Sequence, residues 1–249
     1  MGIGLTLVIC VAMVVTSFLS GIFGMAGGVI LIGILLALLP LQTAMVLHGV
    51  TQLASNGWRA LLWWRDVRWR IAAAYSAGSL IALGLWSITG YVPDKPVAFL
   101  LLGLSPFGVR LIPERFRPNP EHMGKSVLYG VLCTGLMMLT GVAGPLLDSF
   151  FLGGKLDRRN IMATKSMCQI FGHTVKLAYF GGVITDPGTI DPMVAALAVI
   201  ASMAGTFLAK PVLTALSDKT YRLWANRIVT GVSSYYSLYG VYLITIPHL

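Results

Sequence analysis

Residues 20–28, Ser20-Gly21-Ile22-Phe23-Gly24-Met25-Ala26-Gly27-Gly28, decide how this chain is read. Helix-breaking glycines stand here between an uncharged apolar run at 3–22 and a short apolar arm at 29–39. At ~1.5 Å per residue the first run covers roughly 30 Å of hydrocarbon, and the arm does not. Backbone groups freed at such a break cannot face lipid, where each unpaired amide costs several kcal/mol; they are buried in protein or line an aqueous cavity. The expectation for 1–39 is a broken or re-entrant helix pair.

Composition places the whole chain in lipid. It is 56% hydrophobic and 11% charged, with a mean hydropathy of +0.80, outside the range of soluble domains. Runs 71–91 and 192–209 are also uncharged and long enough to span, and ten apolar stretches can be drawn in all. Residues 1–20 hold no Lys or Arg, so the first run lacks the basic region of a secretory signal and reads as a membrane segment. The three cysteines, Cys10, Cys133 and Cys168, sit in apolar segments without metal or redox spacing and read as buried thiols.

The net charge of +9 reports orientation and not nucleic acid. Arg65, Arg68 and Arg70 fill one connection, and Arg110, Arg115, Arg117 and Lys125 flank a second. Lys155, Arg158 and Arg159 precede another run, and Lys210, Lys219 and Arg222 fill a fourth gap. By the positive-inside rule these are cytoplasmic. The connections at 39–42, 91–96 and 183–192 have only Lys95 as a basic residue, and the last carries Asp186 and Asp191, so these belong outside. On this count loop 113–125 is cytoplasmic and both termini are periplasmic. Trp63, Trp64 and Trp69 beside the first basic cluster read as an interfacial belt.

A shift of 117 residues (141 minus 24) lays Gly24-Met25-Ala26-Gly27-Gly28 over Gly141-Val142-Ala143-Gly144-Pro145. Without a gap it also lays His48 over Lys165, Gln52 over Gln169, Asn56 over His173 and Arg59 over Lys176; Asp94-Lys95 is echoed by Asp218-Lys219. The loop charges run 41–64 from outside to inside and 160–182 from inside to outside. The same opposition holds for 71–91 against 192–209 and for 97–112 against 221–246. The fold expected is therefore an all-α polytopic membrane protein of two inverted-topology repeats, 1–112 and 126–249, joined by the linker 113–125. Each repeat is a broken or re-entrant pair followed by three helices, giving about 8–10 membrane segments. Such repeats recur in secondary transporters, with the site near the midplane where interrupted helices meet.

Residues 20–28, the segment 40–65 and the weaker second copy at 141–182 resemble the TauE/SafE-type sulfite exporters, the toluene-sulfonate uptake permease family. The resemblance covers nearly the whole chain. The second copy departs from the pattern, with Pro145-Leu146-Leu147-Asp148 where further glycine is expected. Membership implies movement of sulfite, sulfonates or related organosulfur anions across the bacterial inner membrane.

His48, Gln52, Asn56 and Arg59 fall at i, i+4, i+8 and i+11 and share one helix face, as do Lys165, Gln169, His173 and Lys176. Ionisable groups at membrane depth face a bundle interior or water. These eight, with Gly24, Gly27, Gly28, Gly141 and Gly144, are the candidate substrate-binding residues. Inversion sets Gln52 and Gln169 near the midplane, His48 and Lys176 toward the outside, and Arg59 and Lys165 toward the cytoplasm. Asp148, embedded in an apolar arm, is a candidate coupling or counter-ion group. Each has a plainer reading: Arg59 and Lys165 snorkel to the interface, the glutamines join helices, the glycines allow close packing. Arg227, in a stripe with Asn226, Thr230 and Ser234, is either another anion contact or an interfacial residue.

The reading is a transporter that alternates access for a small anion, with H+ or Na+ as coupling ion and no cofactor. A passive anion channel is one alternative. An intramembrane metal site of His48, His173, Cys168 and Met167 is another. No G-x-S-x-G element or H-E-x-x-H helix marks an enzyme.

Overall fold

The computed structural model describes residues 2–113, 119–152, 154–184, 188–215 and 217–246. Arg115, Arg117 and Asp186, used above for orientation, lie outside the described residues. Ten α-helices follow in order: α1 (Ile3–Phe23), α2 (Ala26–Leu38), α3 (Leu41–Leu62), α4 (Trp69–Thr89), α5 (Lys95–Arg110), α6 (Met123–Thr140), α7 (Gly144–Leu152), α8 (Arg158–Ala178), α9 (Pro192–Ala215) and α10 (Asp218–Thr245). A 3-10 turn at Trp64–Asp66 and a π turn at Tyr179–Val183 complete the list, and no strand occurs among the described residues.

Among the described residues four helices are long and apolar enough to cross a membrane by themselves: α1, α4, α6 and the Pro192–Ala209 part of α9. Their outer faces carry exposed aliphatic and aromatic side chains such as Val11, Leu80, Ile88, Ile200 and Phe207. α2, of 13 residues, and α7, of nine, rise only ~20 Å and ~14 Å and cannot span alone. α3 and α8 are long, at 22 and 21 residues, but polar along one side.

Both interruptions occur where glycine spacing puts them, and both are narrower than the sequence suggested. α1 stops at Gly24, which adopts φ 67°, and α2 restarts at Ala26, so Gly27 and Gly28 already belong to a helical turn. α6 stops at Gly141, φ 84°, whose N–H closes on Met137 O at 2.8 Å. α7 restarts at Gly144. Positive φ is nearly free for glycine and costly for other residues. α2 then folds back on α1, with Gly27 so close to Thr16 and Ser20 that a Cβ would strike the Thr16 carbonyl.

The principal helix pairs are α1 on α9, α4 on α6, α5 on α10 and α3 on α8. Small residues let these axes approach, as is usual between membrane helices. Gly78 and Gly130 lie face to face at the α4–α6 crossing, Gly205 abuts Val14 and Phe18 of α1, and Gly103 abuts Ser233 and Ser237 of α10. One apolar core gathers Ile9, Leu31, Leu35, Leu47, Phe99 and Tyr236. A second holds Tyr75, Phe150 and the two buried thiols Cys133 and Cys168.

Trp63, Trp64 and Trp69 are exposed, with the Arg65 guanidinium 5.5 Å over Trp64 and that of Arg159 5.6 Å over Trp63. The α10 stripe is engaged from α5: Arg110 donates to Asn226 Oδ1 at 2.6 Å and Thr230 Oγ1 at 2.8 Å. Arg227 lies 5.7 Å over Trp224.

A Cβ at Gly130 would overlap the Tyr75 carbonyl, whereas one at Gly84 meets nothing within 4 Å. Gly130→Val is therefore expected to destabilise the detergent-purified protein by about 1–3 kcal/mol and Gly84→Val to leave it unchanged. Thermal unfolding followed by intrinsic fluorescence checks this, and equal melting curves for the two variants would contradict the α4–α6 crossing.

Candidate functional site

α3 and α8 cross where Gly49 of α3 receives Leu177 of α8, with Lys176 beside it. Their polar faces point into the bundle. His48, Gln52 and Asn56 are buried on α3, and His173 and Lys176 on α8. The apolar α2 and α9 pack on α3, and α4 and α6 on α8, so polar side chains that would be costly against lipid meet each other instead.

The two helix breaks come together at the same place. A Cβ on Gly144 would lie 2.8 Å from Met25 Cβ, and one on Gly28 would lie 3.4 Å from the Gln52 amide. A hydrogen-bonded chain joins the breaks. His48 Nε2 lies 3.0 Å from Gly28 O. A carbonyl only accepts, so Nε2 carries the proton, and Nδ1 is left as an acceptor. Lys176 Nζ donates to that Nδ1 at 2.8 Å and to Gly141 O at 3.0 Å. Both side chains are fully buried, and no carboxylate pairs with Lys176 among the described residues.

On one side of this chain is a small polar cavity of about 20 Å³. Gly24, Met25 and Gly28 line it from the first break, and Val142, Ala143 and Gly144 from the second. Gln52, Gln169 and His173 form its walls, and the half-buried Arg59 and Lys165 lie at its open end.

Helix N-termini supply donors here. The first intrahelical bonds are Val29 N to Met25 O at 3.2 Å in α2 and Leu147 N to Ala143 O at 2.9 Å in α7. The amides of Ala26, Gly27 and Gly28, and those of Gly144 and Leu146, precede those bonds and have no acceptor within their own helix. Pro145 has no N–H to satisfy, which suits a first turn. His173 adds a side-chain group: it is 2% exposed, its ring meets His48 edge-on at 5.6 Å, and its Nδ1 has no hydrogen-bond partner. At the open end Lys165 is ion-paired with Asp148, and Arg59 donates to Ser55 O at 3.3 Å and Ser55 Oγ at 3.0 Å.

Of the residues singled out from sequence, Gln52, Gln169, His173, Arg59, Lys165, Gly24, Gly28 and Gly144 therefore share one cavity. His48 and Lys176 lie behind it, in the chain that joins the breaks, with Gly141 as an acceptor. Asn56 is turned onto its own helix, donating to Gln52 O at 2.9 Å, and Gly27 is consumed by packing on α1. Asp148 answers Lys165. The alternative metal ligands do not assemble: among the described residues no three His, Cys, Asp or Glu side chains converge.

Sequence reading missed Met25, Val142 and Ala143 as cavity wall, although they lie inside the two breaks. It also missed a serine–threonine seam. Ser17 Oγ bonds Ser202 Oγ at 3.2 Å, Ser202 Oγ donates to Thr51 O at 3.0 Å, and Ser55 Oγ pairs with Thr206 Oγ1 at 3.2 Å. Thr51 and Ser55 stand next to the stripe on α3, so a count of small hydroxyl residues would have found them.

In a background without the native cysteines, Gln169→Cys is expected to react with a charged thiosulfonate reagent while Lys176→Cys stays unlabelled over the same interval. Equal labelling of both would contradict the burial of Lys176 behind the cavity.

No curated protein and no solved structure matches this chain. A family model described as Sulfite exporter TauE/SafE matches residues 8–236, a span that runs from α1 into α10 and includes both breaks and both polar stripes. The fold of apolar helices around an interrupted polar centre and this near-complete match agree: the chain belongs to the sulfite exporter TauE/SafE family of multi-pass membrane transporters.

Proposed function

We propose that the protein is a secondary transporter that carries a small sulfur oxyanion, sulfite first, across the bacterial inner membrane by alternating access. The observation that carries this reading is the convergence of two helix N-termini, the unpartnered His173 Nδ1 and two glutamines on one cavity. Free amides and positive dipole ends suit an anion, and Gln52 and Gln169 supply further donors. Arg59 draws negative charge to the open end, where Lys165 is already neutralised by Asp148.

The wall favours a small oxyanion over an aromatic sulfonate. Its residues are mostly Gly, Ala, Val, Met and Gln, and no Phe, Tyr or Trp is among the described residues that line it. Gly28 and Gly144 let backbone approach the ligand closely.

Packing supports an inverted repeat of 1–112 and 126–249 around the linker 113–125. If α1 to α5 correspond to α6 to α10, then α1 on α9 is the counterpart of α6 on α4, while α3 on α8 and α5 on α10 are each their own counterpart. The basic loops set the Arg59–Lys165 end in the cytoplasm. On that assignment the cavity is open inward, and the layer of His48 and Lys176 closes it from the outside. Alternating access would rock the two halves about the α3–α8 crossing until the closed end opens. A cavity sealed at one end favours a carrier over a channel.

Sulfite binding to the purified protein tests the site. Gln52→Leu and Gln169→Leu each remove a donor to a charged ligand, worth ~1.5–3 kcal/mol, and are expected to weaken binding by roughly 10–100-fold. Calorimetric titration under anaerobic conditions measures it, with Gly84→Val as the folded control. Wild-type affinity in both glutamine variants would sink the proposed site. Sulfite-for-sulfite counterflow in liposomes separates carrier from channel, since only a carrier accumulates labelled substrate transiently against an unlabelled internal pool.

A further inference from the structure

The transport reading uses Lys176 to close the cavity but gives its ionisable amine no charge to answer. We propose that Lys176, with His48, is the proton-binding site that couples anion movement to a proton gradient, a proposal that rests on the transport function proposed above. The geometry fits an amine that exchanges a proton. Lys176 Nζ has two acceptors, His48 Nδ1 and Gly141 O. Two acceptors satisfy the two N–H bonds of a neutral amine, whereas an ammonium has a third N–H that finds no acceptor among the described residues.

The surroundings offer no counter-charge in this conformation. α2 contributes no titratable side chain, and neither does the break at 141–143. α3 contributes His48, and α8 itself contributes His173 one turn away. Beyond α8, Tyr179 directs its hydroxyl to Tyr91 O at 2.6 Å. From α4 and α6, Tyr75 and Cys133 pack with Cys168 in a separate core. The α7 carboxylate, Asp148, is held by Lys165 at the cavity mouth. An ammonium left unpaired here costs several kcal/mol.

An anion changes that balance. His173 lines the cavity and touches His48, so a ligand bound beside it brings negative charge to within about a helical turn of Lys176. Anion and proton then favour each other's binding, and by linkage the effect is reciprocal. The proton occupies the amine lone pair and no other bond forms or breaks. Its arrival supplies an N–H for which this conformation has no acceptor, at the chain that ties Gly28 O to Gly141 O. Loading the site therefore loosens the tie between the two breaks on the closed side. The coupling is proton–anion symport.

The test uses full-length protein in liposomes, labelled sulfite near neutral pH, and protein-free vesicles subtracted for leak. Wild type is expected to accumulate sulfite when the outside is made mildly acid and to carry protons inward with it, read by an internal pH dye. Lys176→Gln and His48→Gln, which each keep a side-chain N–H donor, are expected to keep counterflow at equal pH and to lose gradient-driven accumulation. Gly84→Val, at a position where a Cβ meets nothing within 4 Å, is expected to keep both. Gradient-driven accumulation in the Lys176 variant overturns the proposal, as does wild-type counterflow that ignores the pH gradient. Absence of any wild-type counterflow overturns the transport reading itself and is thereby distinguished from failure of the proton site. Should the Lys176 and His48 variants both fail to fold, the wild-type dye signal decides alone: sulfite entry without proton entry overturns the proposal.

Discussion

A backbone carbonyl left open inside a low-dielectric medium must be given a donor, and this structure is arranged around one such group, Gly141 O at the end of α6. Gly28 O receives His48, and Gly141 O receives Lys176, whose amine also bonds His48. That chain requires α3 and α8 to lie in the centre, because they carry the two donors. It requires α2 and α7 to be short, because each starts at a break deep in the bundle. It also requires glycine at Gly24 and Gly141, where the backbone turns through positive φ. Remove the Lys176 amine and Gly141 O would stand unpaired, at several kcal/mol, whereas Gly28 O, inside α2, would keep its own helix's donor.

The same constraint explains why the most central helices are not the most apolar. α3 and α8 are absent from the four helices long and apolar enough to cross a membrane alone, yet they meet each other along much of their length. A helix packed among α2, α4, α6 and α9 is free to be polar, and one that donates to interrupted backbone has to be. The outer helices show the converse, with aliphatic side chains turned outward and glycines turned toward their partners.

Much of this was legible in residues. Glycine clusters at matching distances from two polar stripes located the breaks, and spacing of three and four located the buried faces of α3 and α8. What spacing could not give was depth and partnership. It put His48, Gln52, Asn56 and Arg59 on one face of α3, but whether each meets a cavity, a neighbouring helix or its own backbone depends on how α8 crosses. Asn56 is turned back to Gln52 O, and His48 meets Lys176, although the sequence shift aligns His48 with Lys165. Residues that correspond between halves need not touch one another. The far side of the hydroxyl seam, Ser17, Ser202 and Thr206, was invisible for a related reason: a hydroxyl on an apolar helix gives no periodic signal until its partner is known.

The central claim is that a small oxyanion sits between the two helix breaks, and locating one is its most direct test. Selenite is a heavier analogue of sulfite whose selenium scatters anomalously, so crystals grown with it would report its position. The account predicts a single anomalous peak within hydrogen-bonding reach of the Gly28 and Gly144 amides and the His173 ring. A saturating ligand whose peak lies elsewhere, with this cavity empty, would contradict it.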